Sequence, residues 1–199
     1  SSQGAEGALF TQDVYYTVVQ SYTRKTVDYG WEDFTSSYDP QAALGGAGTA
    51  AYAAVTTDPY EGSRCLEVAN SGDCVSEVHL AVVYNLLAGD LVEVTCQARH
   101  YDSNDVGIRI GADTLSNPAD VYSIVGSAGA DSDLSTLTWC EIGADWTFDS
   151  GQGQALLIKA KLCDLTGGGA VDGLSITVPD HAQVRLPAPS EITCPDRPV

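Results

Sequence analysis

Apolar and polar residues alternate along most of this 199-residue chain with a period of two. That spacing puts one side of a β-strand in a core and the other in water. In residues 91–100, Val92, Val94, Cys96 and Ala98 share one side, and Glu93, Thr95, Gln97 and Arg99 share the other. The same alternation runs through 64–69, 77–86, 106–111, 137–148, 155–162 and 170–178, with Gly, Asp and Ser clusters between the runs. Apolar residues at helical spacing are scarce. Seven or more short strands separated by turn signals predict an all-β chain folded as a two-sheet β-sandwich. Two segments depart from the pattern. Residues 41–54 are rich in Ala and Gly, and Gly45, Gly46 and Gly48 would each cost a helix about 1 kcal/mol, so this is a loop leading into a strand near Tyr52. Residues 127–135 read as a polar loop.

The N-terminal pattern predicts a longer element. In residues 10–23, Phe10, Val14, Tyr16, Val18 and Tyr22 lie on one side, while Thr11, Asp13, Thr17, Ser21 and Thr23 largely make the other. A strand of that length spans roughly 46 Å at about 3.3 Å per residue, against about 17–20 Å for an ordinary strand. It can bend to serve both of its own sheets, or it can complete the sheet of a neighbouring copy, the logic by which pilin-like subunits assemble through donor-strand complementation. The organisation expected is an N-terminal extension over 1–28, a sandwich over 29–179 and a Pro-rich tail over 180–199.

Charge narrows the partners. Nine Lys+Arg against 27 Asp+Glu leave a formal net charge of −18, which repels phosphate backbones and anionic lipid and argues against nucleic acid and membrane as partners. The chain starts at Ser1 and has no Met, as expected of an exported protein whose leader has been removed. Six cysteines agree with export: Cys65, Cys74, Cys96, Cys140, Cys163 and Cys194 contain no C-x-x-C pair, and an even number outside the cytosol suggests three disulfides. Six cysteines allow 15 pairings. Enzyme signatures are missing: the sequence has neither H-E-x-x-H nor G-x-S-x-G, and no Gly-rich loop carries a P-loop Lys.

From about residue 29 to 178 the order of features resembles the jelly-roll carbohydrate-binding modules. The resemblance rests on Tyr29-Gly30-Trp31-Glu32-Asp33-Phe34 as an opening strand with an aromatic and an acid, and on 58–68 as a turn, Gly, Ser and alternating strand. Leu87-Ala88-Gly89-Asp90-Leu91 follows, then Thr138-Trp139-Cys140, then Ala170-Val171-Asp172-Gly173-Leu174 as a closing strand with its acid. It implies a jelly roll, and a structural Ca²⁺ joining the opening strand at Glu32 to the closing strand at Asp172. Asp131 and Asp133 offer a weaker acidic cluster. Residues 1–28, residues 180–199 and the cysteines are not part of that pattern.

Sugar recognition needs aromatic faces with polar groups beside them, for which Trp31, Tyr38, Tyr101, Tyr122 and Trp146 are candidates. The alternative is that Trp31, Trp139 and Trp146 fill the core. The expectation that combines these features is a non-enzymatic extracellular β-sandwich, a homopolymer of copies of itself forming a filament or sheath through the strand at 10–23. The alternative is a secreted carbohydrate-binding module whose partner is a polysaccharide.

Overall fold

A computed structural model describes residues 23–33, 46–47, 50–70, 76–101, 107–149, 151, 153–163 and 167–187. The described residues form twelve strands and no helix: β1 (Arg24–Tyr29), β2 (Gly46–Ala47), β3 (Ala50–Val55), β4 (Cys65–Asn70), β5 (Ser76–Tyr84), β6 (Leu91–His100), β7 (Gly107–Leu115), β8 (Ile124–Ser127), β9 (Cys140–Thr147), β10 (Ala155–Cys163), β11 (Gly167–Pro179) and β12 (Gln183–Arg185). They make two antiparallel sheets. The first has the order β3-β4-β11-β6-β9, with β1 also pairing β11, and the second β12-β5-β10-β7-β8, with β2 also pairing β5.

The alternation read from the sequence is what closes the sandwich. Val92, Val94, Cys96 and Ala98 of β6 meet Ile108, Ile110 and Ala112 of β7 and Leu156, Ile158, Ala160 and Leu162 of β10 in one core. Each large aliphatic side chain buried there contributes about 1.5–3 kcal/mol. β10 reads ALLIKAKLC because Ala155 and Leu157 on its other side are covered as well, packing with Val82, Leu115 and Val121. A β-bulge interrupts β11 between Asp172 and Ser175, with Gly173 in the left-handed region at φ 53°. The bulge shifts the inward positions from Val171 to Leu174, Ile176 and Val178.

Several expectations need correcting. β6 has the expected bounds, but the opening strand runs over Arg24–Tyr29, so Glu32 sits in the turn after it, where Trp31 takes φ 59°. Residues 24–28 of β1 and all of β12 lie outside 29–179 and are paired in the sheets: Arg24 opposes Pro179, and Val184 opposes Val83. Trp31 and Trp146 fill the core, 1% and 3% exposed, the alternative reading for these tryptophans. Trp31 packs against Tyr29 with ring centroids 5.1 Å apart, and the Trp146 indole donates to the Ala130 carbonyl.

The three-disulfide expectation is not met where the structure can be read: Cys65, Cys96 and Cys140 are free thiols. β11 lies between β4 and β6, so Cys65 and Cys96 stand about two strand spacings apart, roughly 9–10 Å, beyond the roughly 7 Å a disulfide can bridge. Cys96 opposes Ile142 while Cys140 opposes Ala98, a diagonal placement. Burial pushes the Cys65 thiol up to about 11 and the Cys96 thiol still higher. Cys74, Cys194 and the Cys163 side chain lie outside the described residues, as do Tyr38 and the assembly strand Phe10, Val14, Tyr16, Val18 and Tyr22.

Candidate functional site

The outward positions of the first sheet are polar, as alternation requires. On β6 they are Glu93, Thr95, Gln97 and Arg99, and on β4 Glu67 opposes the buried Ala170 of β11, which on its other side opposes Arg99. At the Arg99 end the face stops being merely polar. The connection between β3 and β4, which carries Asp58 and Tyr60, folds against Arg99 from one side, and Trp139, just before β9, closes from the other.

Arg99 organises this cluster. Its Nη1 pairs with Asp58 Oδ2 at 2.6 Å and its Nη2 donates to the Asp58 carbonyl at 3.3 Å. Trp139 Nε1 donates to the same carbonyl at 3.3 Å. The guanidinium carbon stands 4.9 Å from the Trp139 ring centroid and 5.3 Å from that of Tyr101, so the cation lies over both aromatic rings. Tyr60 meets Trp139 edge-on at 6.0 Å. Tyr101 donates its hydroxyl to Glu67 Oε2 at 3.1 Å. Burial, and then the Glu67 carboxylate, hold the Tyr101 phenol well above its ordinary range, so at neutral pH it is a donor. The cluster remains open to solvent: Tyr60 is 50% and Tyr101 43% exposed, and Trp139 is half-buried. Three rings, one cation and two carboxylates at one end of a sheet can stack an apolar ring face while donating to and accepting from hydroxyls around it.

Glu32 and Asp172 converge on the segment that carries Asp58 and Tyr60. Glu32 accepts from Ser63 N at 2.8 Å, Ser63 Oγ at 2.5 Å and Arg64 N at 2.9 Å. Asp172, fully buried, accepts from Tyr60 N at 2.9 Å, Glu61 N at 3.0 Å and Gly173 N at 2.8 Å. The Ser63 hydroxyl, outweighing burial and helped by the amides, holds Glu32 below the ordinary carboxylate range. Burial raises Asp172 despite its amide donors. One oxygen of each takes two amide protons, while the other takes the Ser63 hydroxyl proton at Glu32 and the Gly173 amide proton at Asp172. Among the described residues no three acids, histidines or cysteines are grouped to hold a metal. Asp131, the weaker candidate, is paired with Lys161 at 2.9 Å, and Asp133 is exposed.

The outward face of the second sheet is different. Lys159, 4% exposed, pairs with Glu77 at 2.8 Å and with Asp113. Burial works against its charge, but the two carboxylates outweigh it and raise its pKa above the ordinary 10.5. Tyr122, 66% exposed, stands 5.8 Å from the His79 ring on this side of the molecule. Of the five aromatic candidates, the structure therefore places Tyr101 in the Arg99 cluster, Tyr122 on the opposite sheet and the two tryptophans in the core. Tyr60, Arg99 and Trp139 were not singled out as sugar contacts. The available signal was that the outward row of β6 ends in Arg99 two residues before Tyr101.

The sequence matches no family profile and no curated protein. The fold does have solved counterparts. The CBM22-1 xylan-binding domain of Paenibacillus barcinonensis Xyn10C superposes with TM-score 0.54 at 12% identity, covering 76% of this chain and 92% of that one. The CBM22-2 xylan-binding domain of the same protein gives 0.51 at 14%, covering 76% and 98%. Their tandem gives 0.56 at 11%, covering 80% of this chain and 47% of the two-module chain. At these identities the likeness is one of fold: this chain is a β-sandwich of the kind those carbohydrate-binding modules adopt.

Proposed function

We propose that this chain is a non-catalytic, secreted polysaccharide-binding module that holds a neutral sugar chain on the Tyr60–Trp139–Arg99–Tyr101 cluster. The observation that carries the reading is the pairing of exposed aromatic rings with a guanidinium and two carboxylates at one end of a sheet. A pyranose presents an apolar C–H face and a rim of hydroxyls; the first stacks on an aromatic ring, and the second needs acceptors such as Asp58 and Glu67 and a donor such as Arg99. The fold supports it, because two of the counterparts are described as xylan-binding domains. Charge selects a neutral ligand. With a net charge of −18 and Asp58 and Glu67 flanking the one guanidinium, a polyuronate is repelled.

Affinity electrophoresis in gels containing xylan, a neutral β-glucan or a polyuronate tests this. Retardation by a neutral polysaccharide, lost in Trp139→Ala, is expected. Equal migration in every gel would end the proposal. The filament reading rests on residues 10–23, outside the described residues, so nothing described here argues for it. Among the described residues no helix is long and apolar enough to cross a membrane.

A further inference from the structure

We infer that Glu32 and Asp172 are positioning residues for the sugar platform, holding the segment at 58–64 through its backbone amides. This rests on the polysaccharide-binding reading and adds to it what fixes the platform's shape.

The segment joins β3 to β4 through two left-handed positions, Asp58 at φ 50° and Gly62 at φ 62°. A non-glycine residue pays for that conformation, so Asp58 needs outside support. The amides of Tyr60, Glu61, Ser63 and Arg64 all donate to carboxylates, two to Asp172 and two to Glu32. Hydrogen bonds to an ionised acceptor are about twice as strong as neutral ones. The two acids grip from different parts of the fold. Glu32 comes from the turn after β1, and Asp172 from the bulge in β11, where Gly173 adds its own amide to the same carboxylate.

The fit around the grip is close. A Cβ at Gly62 would collide with the Glu32 carboxylate, so only glycine lets that side chain reach Ser63 and Arg64. Tyr60 and Asp58 lie on the gripped segment, and they are the residues that meet Trp139 and Arg99. Releasing the amides frees one ring of the aromatic pair and the partner of the guanidinium together.

Amide hydrogen exchange on the whole chain, read residue by residue by NMR, tests this without any sugar present. The amides of residues 60, 61, 63 and 64 should be protected. Glu32→Ala should speed exchange at Ser63 and Arg64 at least tenfold, shift the Trp139 indole resonance and weaken binding to a neutral polysaccharide several-fold. Glu32→Gln, which keeps an acceptor oxygen, should lie between. Glu32 is at the surface, so its variants fold even if Asp172→Asn does not. Unchanged exchange in Glu32→Ala would overturn the inference. A wild-type chain that binds no polysaccharide while its exchange follows the expected pattern would instead remove the preceding reading, and with it the platform the two acids are said to position.

Discussion

Replacing Lys159 by Met removes a charge while keeping most of the side chain's length. The Lys159, Glu77 and Asp113 side chains are 5%, 18% and 11% exposed, so all three charges sit in a poorly solvated setting. Without the ammonium, two carboxylates face each other across a covered sheet. Breaking a buried pair by removing one partner costs about 3–5 kcal/mol, and in a domain of this size each kcal/mol lowers Tm by about 2–4 °C, so Lys159→Met should lower Tm by roughly 6–20 °C. Removing all three charges should recover most of that loss, because the penalty lies in the stranded carboxylates. Thermal unfolding followed by circular dichroism, on Lys159→Met alone and combined with Glu77→Gln and Asp113→Asn, reads both effects. The pH dependence has a definite sign. The folded pKa of Lys159 is raised above its ordinary 10.5, so its contribution is complete below pH 10.5 and is lost as the pH climbs through the folded value. A Lys159→Met protein within about 1 kcal/mol of wild type would refute the reasoning, since surface pairs are worth no more than that.

Other consequences follow from the same structure. A sugar covering about a third of an aromatic's 150–250 Å² removes roughly 70 Å² from water, worth about 1.8 kcal/mol, so Trp139→Ala should weaken polysaccharide binding about 20-fold in calorimetric titration. Arg99→Ala should reduce both affinity and Tm, because Arg99 also anchors Asp58. Alkylation of the unreduced chain followed by peptide mapping should label Cys65, Cys96 and Cys140 after unfolding, with Cys65 and Cys96 resisting the reagent in the native state because burial raises both thiols. A disulfide at any of the three would contradict the structure.

The sandwich was legible because its strands are long enough to show their period. β6 alternates over ten residues and its bounds were read correctly, whereas β8 and β12, with four and three residues, are too short to carry a pattern. Bulges hid more: at Gly173 the inward set changes parity, which no strict alternation foresees. The tryptophans show why the site was harder to find. Trp146 is in phase with Ile142 on β9 and so belongs to the core, while Trp139 precedes the strand and falls under no periodic rule. Tyr60 lay in a stretch read as a turn, and only the folded chain brings it across 79 residues of sequence to Trp139. Glu32 and Asp172 were picked out together through the resemblance, but their amide partners could not be, because those contacts depend on the path of 58–64.

The chain has three tryptophans, and the account of the site requires that only one of them meets the ligand. Titrating ¹⁵N-labelled protein with a neutral xylo- or gluco-oligosaccharide and following the indole N–H resonances puts that requirement to the test. The account predicts that the Trp139 indole shifts progressively, along with the amides of Tyr60, Arg99 and Tyr101, while the core indoles of Trp31 and Trp146 stay in place. Shifts confined to the second sheet around Tyr122 and His79, with the Trp139 indole unmoved at saturation, would contradict it.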